Sequence, residues 1–294
     1  MNHPAKEKVI VITGANSGIG KSATILLAQA TATVVLACRN PERGARALDD
    51  VRAANGSAQV ELMQVDMASQ ASIRRFVDAF KAKHTRLDVL IHNAANFDHR
   101  QEKPVMTEDG VETVFATNHL GPFLMTHLLL DLLKASAPSR VVTVASKGLM
   151  TYPFLDIEFD NLNGERKFSM QHAYYHSKQA QVMFTFDLAE QLKGSGVTVN
   201  CVRVGNVAIP DERLGHLSPW LRKMYDAKRK FALTPEKMAE TYTWLALDPA
   251  LETVTGGYWD APNAPVKANR NAYNKDTWRK LREVSAALTK LIIG

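Results

Sequence analysis

Short apolar runs alternate along the chain with longer stretches in which apolar residues recur every three or four positions. The runs VIVITG (Val9 to Gly14), TVVLACR (Thr33 to Arg39), AQVELMQVD (Ala58 to Asp66), LDVLIHNAA (Leu87 to Ala95), SRVVTVAS (Ser139 to Ser146) and GVTVNCVRVG (Gly196 to Gly205) predict six strands. Between them, Ala23, Ile25, Leu26, Leu27 and Ala30 mark one helix face, and Pro41 opens a second helix at a position where its missing N–H costs nothing. Ile73, Phe76, Val77 and Phe80 mark a third face; longer helices are predicted over Asn118 to Leu133, Tyr174 to Leu192 and Thr277 to Leu291. Strands that are apolar throughout, alternating with helices, indicate a mostly parallel sheet covered on both faces. The fold class is therefore α/β, a doubly wound Rossmann-type arrangement. No Pro/Gly-rich linker divides the sequence, so residues 1–294 are read as a single domain. Residues about 209–231, with Leu214, Leu217, Trp220, Leu221, Met224, Tyr225 and Phe231 among charges, are expected to cover a substrate, and about 272–291 to form a C-terminal helical extension.

Composition narrows this picture slightly. The 294 residues are 46% hydrophobic, enough to bury a sizeable core. No apolar stretch is long enough to span a bilayer, and the charged residues before Val9 read as the lead-in to a strand rather than as a signal peptide. The net charge of +6 is spread over many segments and no nucleic-acid motif accompanies it, so nucleic acid is not an expected partner. Cys38 and Cys201 both sit in apolar runs and read as buried free thiols, consistent with a reducing, cytoplasmic setting. No metal site is expected.

The chemistry begins at TGANSGIG (Thr13 to Gly20), a strand–turn–helix junction with Gly14, Gly18 and Gly20 spaced Gly-x3-Gly-x-Gly. Glycines there permit a tight turn and close approach, and the free N–H groups of the helix start can hold a pyrophosphate. Asn16, Ser17 and Ile19 belong to the same turn. At the end of the second strand an acidic residue would favour NAD; this chain has Arg39 and Asn40, with Arg43 a turn further, and Arg39 can pair with a 2′-phosphate. Asp66 can accept from an adenine amino group, and Met67, Asn93 and Ala94 end the next two strands on the same side. Further on, AYYHSK (Ala173 to Lys178) places Tyr174 four residues and Tyr175 three residues before Lys178, so spacing alone leaves both tyrosines open. An ammonium beside a phenol is expected to lower its pKa and let the pair move a proton at an alcohol oxygen. Ser146 ends the fifth strand.

TGANSGIG, Asp66, HNAAN, TNHLGPF, VTVAS and YYHSK occur in that order, and together they resemble the short-chain dehydrogenase/reductase family over roughly Lys8 to Gly257. ACRNPERG, NHLGPFLMTHLLLDLLKASAPSRVV and HSKQAQVMFTFDLAEQLKGSGVTV are similar to its retinol-dehydrogenase-like branch. The resemblance puts the catalytic tyrosine at Tyr174 rather than Tyr175. It puts the lysine, which also bonds the nicotinamide ribose, at Lys178, and the substrate-holding serine at Ser146. The asparagine that helps hold a water in the lysine's proton relay falls on Asn118. It also implies NADP(H), with Arg39 at the 2′-phosphate, Asn93 near the adenosine, and Gly205 and Val207 at the nicotinamide end, the Val207 backbone meeting the carboxamide.

Three positions depart from the family pattern: Ala95 replaces a glycine, Val204-Gly205 replaces Pro-Gly, and Ile209 stands near a usual threonine. The activity implied is carbonyl reduction or its reverse, on an alcohol and an aldehyde or ketone. Met150, Tyr152, Pro153, Phe154 and Leu155, with Trp220, Met224 and Tyr225, favour a hydrophobic substrate, while Lys147 keeps a polar one open. The alternatives are reduction of a carbon–carbon double bond, as in the similar protochlorophyllide reductases, and a non-catalytic NADPH-binding role. A homodimer or homotetramer through the helices after the fourth and fifth strands is the family's common outcome.

Overall fold

The computed structural model describes residues 8–30, 33–56, 59–98, 100–207 and 232–292. The substrate-covering segment expected at about 209–231, including Ile209, lies outside the described residues but for its surroundings at Val207 and Leu233. Strands β1 (Val9–Thr13), β2 (Thr33–Cys38), β3 (Val60–Gln64), β4 (Val89–His92), β5 (Ser139–Ser146), β6 (Val197–Val204), β7 (Tyr258–Asp260) and β8 (Ala264–Pro265) form one sheet in the order β3-β2-β1-β4-β5-β6-β7-β8. All neighbouring pairs are parallel except β7–β8. The winding reverses between β1 and β4, which opens a crevice at their carboxyl ends.

The apolar runs are explained by two-sided burial. On β1, Val9 and Val11 enter one core and Ile10 and Ile12 the other. Helices α1 (Gly18–Gln29) and α2 (Pro41–Asn55) cover the second core, joined by a helix over Pro235–Leu247. Helices α3 (Gln70–Lys83), α5 (Gly121–Leu128) and α7 (Met170–Gln191) cover the first. Each fully buried Val, Ile or Phe contributes roughly 1.5–3 kcal/mol, which is why this pattern dominates local propensity.

Several boundaries differ from the sequence reading. The helix expected from Asn118 starts earlier, as α4 (Thr113–Phe115), because the Glu112 carboxylate caps it by accepting from the Val114 and Phe115 N–H groups at 2.8 and 3.1 Å. It widens into a π turn over Ala116–Leu120, continues as α5, and breaks at Leu129 before α6 (Leu130–Ala135). The helix expected from Tyr174 starts at Met170, where Ser169 caps it. The helix Pro235–Leu247, here α8, and the short strands β7 and β8 have no counterpart in the sequence reading. The C-terminal helix α9 (Lys275–Thr289) lies across α5 and α7, with Trp278 and Leu281 buried and Arg282 paired with Asp187 at 2.9 Å.

Buried histidines tie this side of the molecule to pH. Burial pushes His92 and His119 down to about 3 and His176 to about 4. His92 bonds Thr126 and His119 bonds Ser285 through Nε2, and the Nδ1 of each has no partner among the described residues. Their folded pKa values lie below the unfolded value near 6.5, so below that pH the unfolded chain binds the extra protons. Stability is therefore present above pH 6.5 and is lost as pH falls toward 4, on the order of 1 kcal/mol per pH unit for each histidine. Thermal melts between pH 7 and 4.5 test this: His119→Asn should show a shallower decline than the parent, and an equal slope would remove His119 as a cause.

Candidate active site

The glycine-rich turn leaves β1 at Gly14 and enters α1 at Gly18, both with positive φ, +67° and +55°. A Cβ on Gly14 would sit 2.8 Å from the Ala94 Cα, and one on Gly20 would sit 2.5 Å from Asn93 Nδ2 and 2.6 Å from the Gly14 carbonyl. A Cβ on Gly18 would meet nothing within 4 Å, so that glycine faces open space. Gly14→Ala is expected to destabilise the fold by roughly 1–3 kcal/mol through strain plus collision, a loss that thermal denaturation would read. Gly18→Ala, which carries the strain alone, should cost less.

A cleft of about 430 Å³ runs over this turn. Gly14, Asn16, Ser17, Gly18, Ile19, Gly20, Arg39, Asn40, Asp66, Met67, Asn93, Ala94 and Val207 all line it, so the structure gathers residues from the ends of β1 to β4 and from beyond β6 into one wall. Arg43, Asn96, Thr117 and Pro235 join them. Arg39 and Asn40 are exposed at one end, and the Asn40 side chain is occupied as the cap of α2, accepting from the Arg43 N–H at 2.7 Å. The Asp66 carboxylate accepts from the Ala68 N–H at 2.9 Å, which shapes the turn after β3. The Asn93 Nδ2 donates to the carbonyls of Thr13 and Gly14 at 3.0 and 3.2 Å, so its amide faces the turn. Thr13 is a further contributor that sequence reasoning missed: its hydroxyl accepts from the Ala94 N–H at 3.0 Å. Its signal was present in the TG dipeptide ending β1, but the partner lies 81 positions away.

Ser146, Tyr174, Lys178, Asn118 and Gly205 do not line that cleft. They stand beside it, Ser146 and Gly205 at the carboxyl ends of β5 and β6, Tyr174 and Lys178 on α7, and Asn118 in the π turn before α5. Ser146 ends β5 and accepts from the Gly148 N–H at 3.2 Å, and its side chain lies near enough to the Tyr174 phenol to influence its titration. Tyr174 projects from α7 with Phe97 stacked on its ring at 4.2 Å. Lys178, one turn on and 2% exposed, donates from Nζ to the Val144 carbonyl at 2.7 Å and lies 5.7 Å from the centre of the Tyr174 ring. Tyr175, edge-on to the Tyr174 ring at 5.3 Å, leans on Tyr152 at 4.8 Å with its hydroxyl close over Gly148. The structure thus separates the two tyrosines that spacing left open.

The electrostatics correct one sequence expectation. The ammonium was expected to lower the phenol; instead burial pushes Tyr174 up to about 12, and the nearby Ser146 hydroxyl offsets this only in part. Burial also brings Lys178 down to about 8. The Nζ is committed to a backbone carbonyl, and the phenol is half-buried with Phe97 stacked on its ring, so desolvation outweighs the charge. The phenol is in its protonated form at neutral pH, which suits a proton donor.

Asn118, expected to help hold a water in the lysine's proton relay, is itself held by three hydrogen bonds. It sits in the π turn, 1% exposed; its Oδ1 accepts from the Asn96 N–H at 2.7 Å, and its Nδ2 donates to the Asn96 carbonyl at 3.1 Å and to Ser177 Oγ at 3.0 Å. Ser177 in turn donates to the Tyr174 carbonyl at 2.7 Å. The Asn118 side chain therefore clips the loop after β4 to α7. Gly205 leaves room for Lys147, whose Cδ would be 3.3 Å from a Cβ there and whose Nζ pairs with Asp260 at 2.9 Å. Arg203 pairs with the same carboxylate at 2.7 Å.

An open doubly wound sheet with a glycine-rich turn under a cleft, and a serine, tyrosine and lysine at its edge, defines a dinucleotide-type oxidoreductase scaffold. Residues 8–156 match the family described as short chain dehydrogenase. Retinol dehydrogenase 11 of Homo sapiens is 41% identical over 287 residues, covering 97% of this chain and 87% of that protein. Retinol dehydrogenase 14 of Homo sapiens is 36% identical over 301 residues, with 97% and 87% covered. Among solved structures, an uncharacterized protein from Mycobacterium Paratuberculosis has a TM-score of 0.73 at 27% identity, covering 98% of this chain and 95% of that one. A short chain dehydrogenase structure from Escherichia coli CFT073, complexed with NADPH, has a TM-score of 0.65 at 23% identity, covering 87% and 96%. The chain belongs to the short-chain dehydrogenase/reductase family, in its retinol-dehydrogenase-like branch. No helix among the described residues is long and apolar enough to cross a membrane.

Proposed function

We propose that the protein is an NADP(H)-dependent oxidoreductase that interconverts an alcohol and an aldehyde or ketone, with a preference for hydrophobic substrates. The observation that carries this is the placement of Ser146, Tyr174 and Lys178 at the strand edge beside a cleft floored by the glycine-rich turn. The cleft fits the cofactor: Gly18 faces open space at the start of α1, where free N–H groups favour a pyrophosphate, and Arg39 and Arg43 on the same wall would pair with a 2′-phosphate. When bound, NADPH supplies the hydride. Ser146 and Tyr174 hold the carbonyl oxygen, and the protonated Tyr174 hydroxyl gives it the proton. Lys178 fixes this geometry from beneath through Val144. The NADPH of the related fold and the retinol of the relatives' names agree with this reading. Phe97, Met150 and Phe154 add exposed apolar surface around Tyr174 and Tyr152, which supports a hydrophobic substrate.

The test is oxidation of NADPH against NADH with aldehydes and ketones of graded size, followed by identification of the product. An NADPH-dependent alcohol product, formed faster from apolar substrates, is the expected result. A product that keeps its carbonyl would mark a double-bond reductase, and tight NADPH binding without turnover across the panel would mark a binding role.

A further inference from the structure

We propose that Tyr242 is a positioning residue for the glycine-rich turn, acting through Asn93. The proposal rests on the dinucleotide reading of the cleft and extends it to a helix on which no site residue was expected. Tyr242 lies on α8, fully buried, and its hydroxyl donates to Asn93 Oδ1 at 3.3 Å across 149 positions of sequence. Asn93 Nδ2 donates in the opposite direction, to the carbonyls of Thr13 and Gly14. A primary amide has one acceptor end and one donor end. A phenol on the oxygen and two carbonyls on the nitrogen leave it a single orientation.

Those two carbonyls belong to the last residue of β1 and the first glycine of the turn, so the amide sets the angle at which the turn leaves the strand. Gly20, in the first turn of α1, closes on the same nitrogen so tightly that a side chain would collide with it. Asn93 is therefore wedged between the two ends of the turn, and Tyr242 braces it from below. The helix carrying the brace is itself anchored to α1, through Ser22 Oγ donating to Glu236 Oε1 at 3.1 Å, and it begins at Pro235 on the wall of the cleft. The Tyr242 ring fills the core between sheet and helix, as a phenylalanine ring would. Only the hydroxyl reaches Asn93, so its effect can be separated from packing.

The experiment is an NADPH titration, by calorimetry or quenching of protein fluorescence, of the parent, Tyr242→Phe, Asn93→Ala and the double variant, with turnover measured alongside. Tyr242→Phe keeps the ring and is expected to weaken NADPH binding about 3- to 10-fold, the effect of one buried neutral hydrogen bond. Its kcat at saturating NADPH should stay within about 2-fold of the parent, since no group that touches the reacting atoms has changed. Added to Asn93→Ala, it should have no further effect, because the path through Asn93 is already cut. An unchanged Kd in Tyr242→Phe, or effects of the two substitutions that simply add, would overturn the proposal. A parent protein that binds neither NADPH nor NADH would overturn the dinucleotide reading itself, which is a different failure.

Discussion

Tyr174→Phe is expected to reduce turnover on the order of 100-fold or more while leaving NADPH affinity within about 3-fold, because general acid catalysis contributes about 10²–10⁴. The substitution removes the phenol hydroxyl near Ser146 and keeps the ring on which Phe97 stacks. Packing of α7 is untouched, so the variant should melt close to the parent. The contrast with Tyr175→Phe is the sharper control. That ring leans on Tyr152 and its hydroxyl lies over Gly148, whereas Lys178 approaches the Tyr174 ring. Loss of the Tyr175 hydroxyl should change kcat little. Steady-state rates of both variants at saturating NADPH decide the matter. Near-normal turnover by Tyr174→Phe would remove the assignment whatever the family resemblance says. The protonated state of Tyr174 adds a pH statement: in the reductive direction the donor form is present well above neutrality, and the first expected loss comes as pH rises through the Lys178 value of about 8.

Arg39→Ser is expected to weaken NADPH binding about 10- to 100-fold and NADH binding hardly at all, the range for a charge-assisted bond to phosphate. Arg39 is exposed at the end of β2 and lines the cleft, and Gln64 Nε2 donates to its carbonyl at 3.2 Å, which fixes the backbone from which the guanidinium reaches. Exposure draws the effect toward the lower end, and Arg43, on the same wall, keeps part of the charge. The difference should shrink with added salt, because the pair faces solvent. The parent and variant Kd values for both nucleotides are the measurement. Equal losses for NADH and NADPH would mean that Arg39 supports the turn rather than the 2′-phosphate.

Much of this site was legible before any coordinates. Strand β5 falls on the predicted residues, since an uninterrupted Val-rich run between Pro138 and Lys147 has one comfortable placement in a parallel sheet. Gly14, Gly18 and Gly20 were legible because a strand–turn–helix junction without side chains is a local requirement, and the structure shows what a methyl would strike at Gly14 and Gly20. The α4–α5 region was less so: Glu112 caps the helix from a residue that periodicity ignores, and the π turn at Asn118 shifts the register of the positions that follow. Helix α8 went unnoticed because its buried face includes Thr241 and Tyr242, types that carry no strong helical stripe.

The sequence alone determined the alternation of strands and helices, the phosphate-type turn, the basic residue after β2 and the tyrosine–lysine spacing, because each depends on residues within a few positions of one another. The tertiary structure decided which way Asn93 faces, that Asn118 clips the Asn96 loop to α7, that Tyr242 reaches the turn from α8, and that Tyr174 holds its proton. All four depend on the order of strands in the sheet and on burial at its edge. Both are set by contacts between segments far apart in the chain, and desolvation is a property of everything packed around a group rather than of its neighbours in sequence.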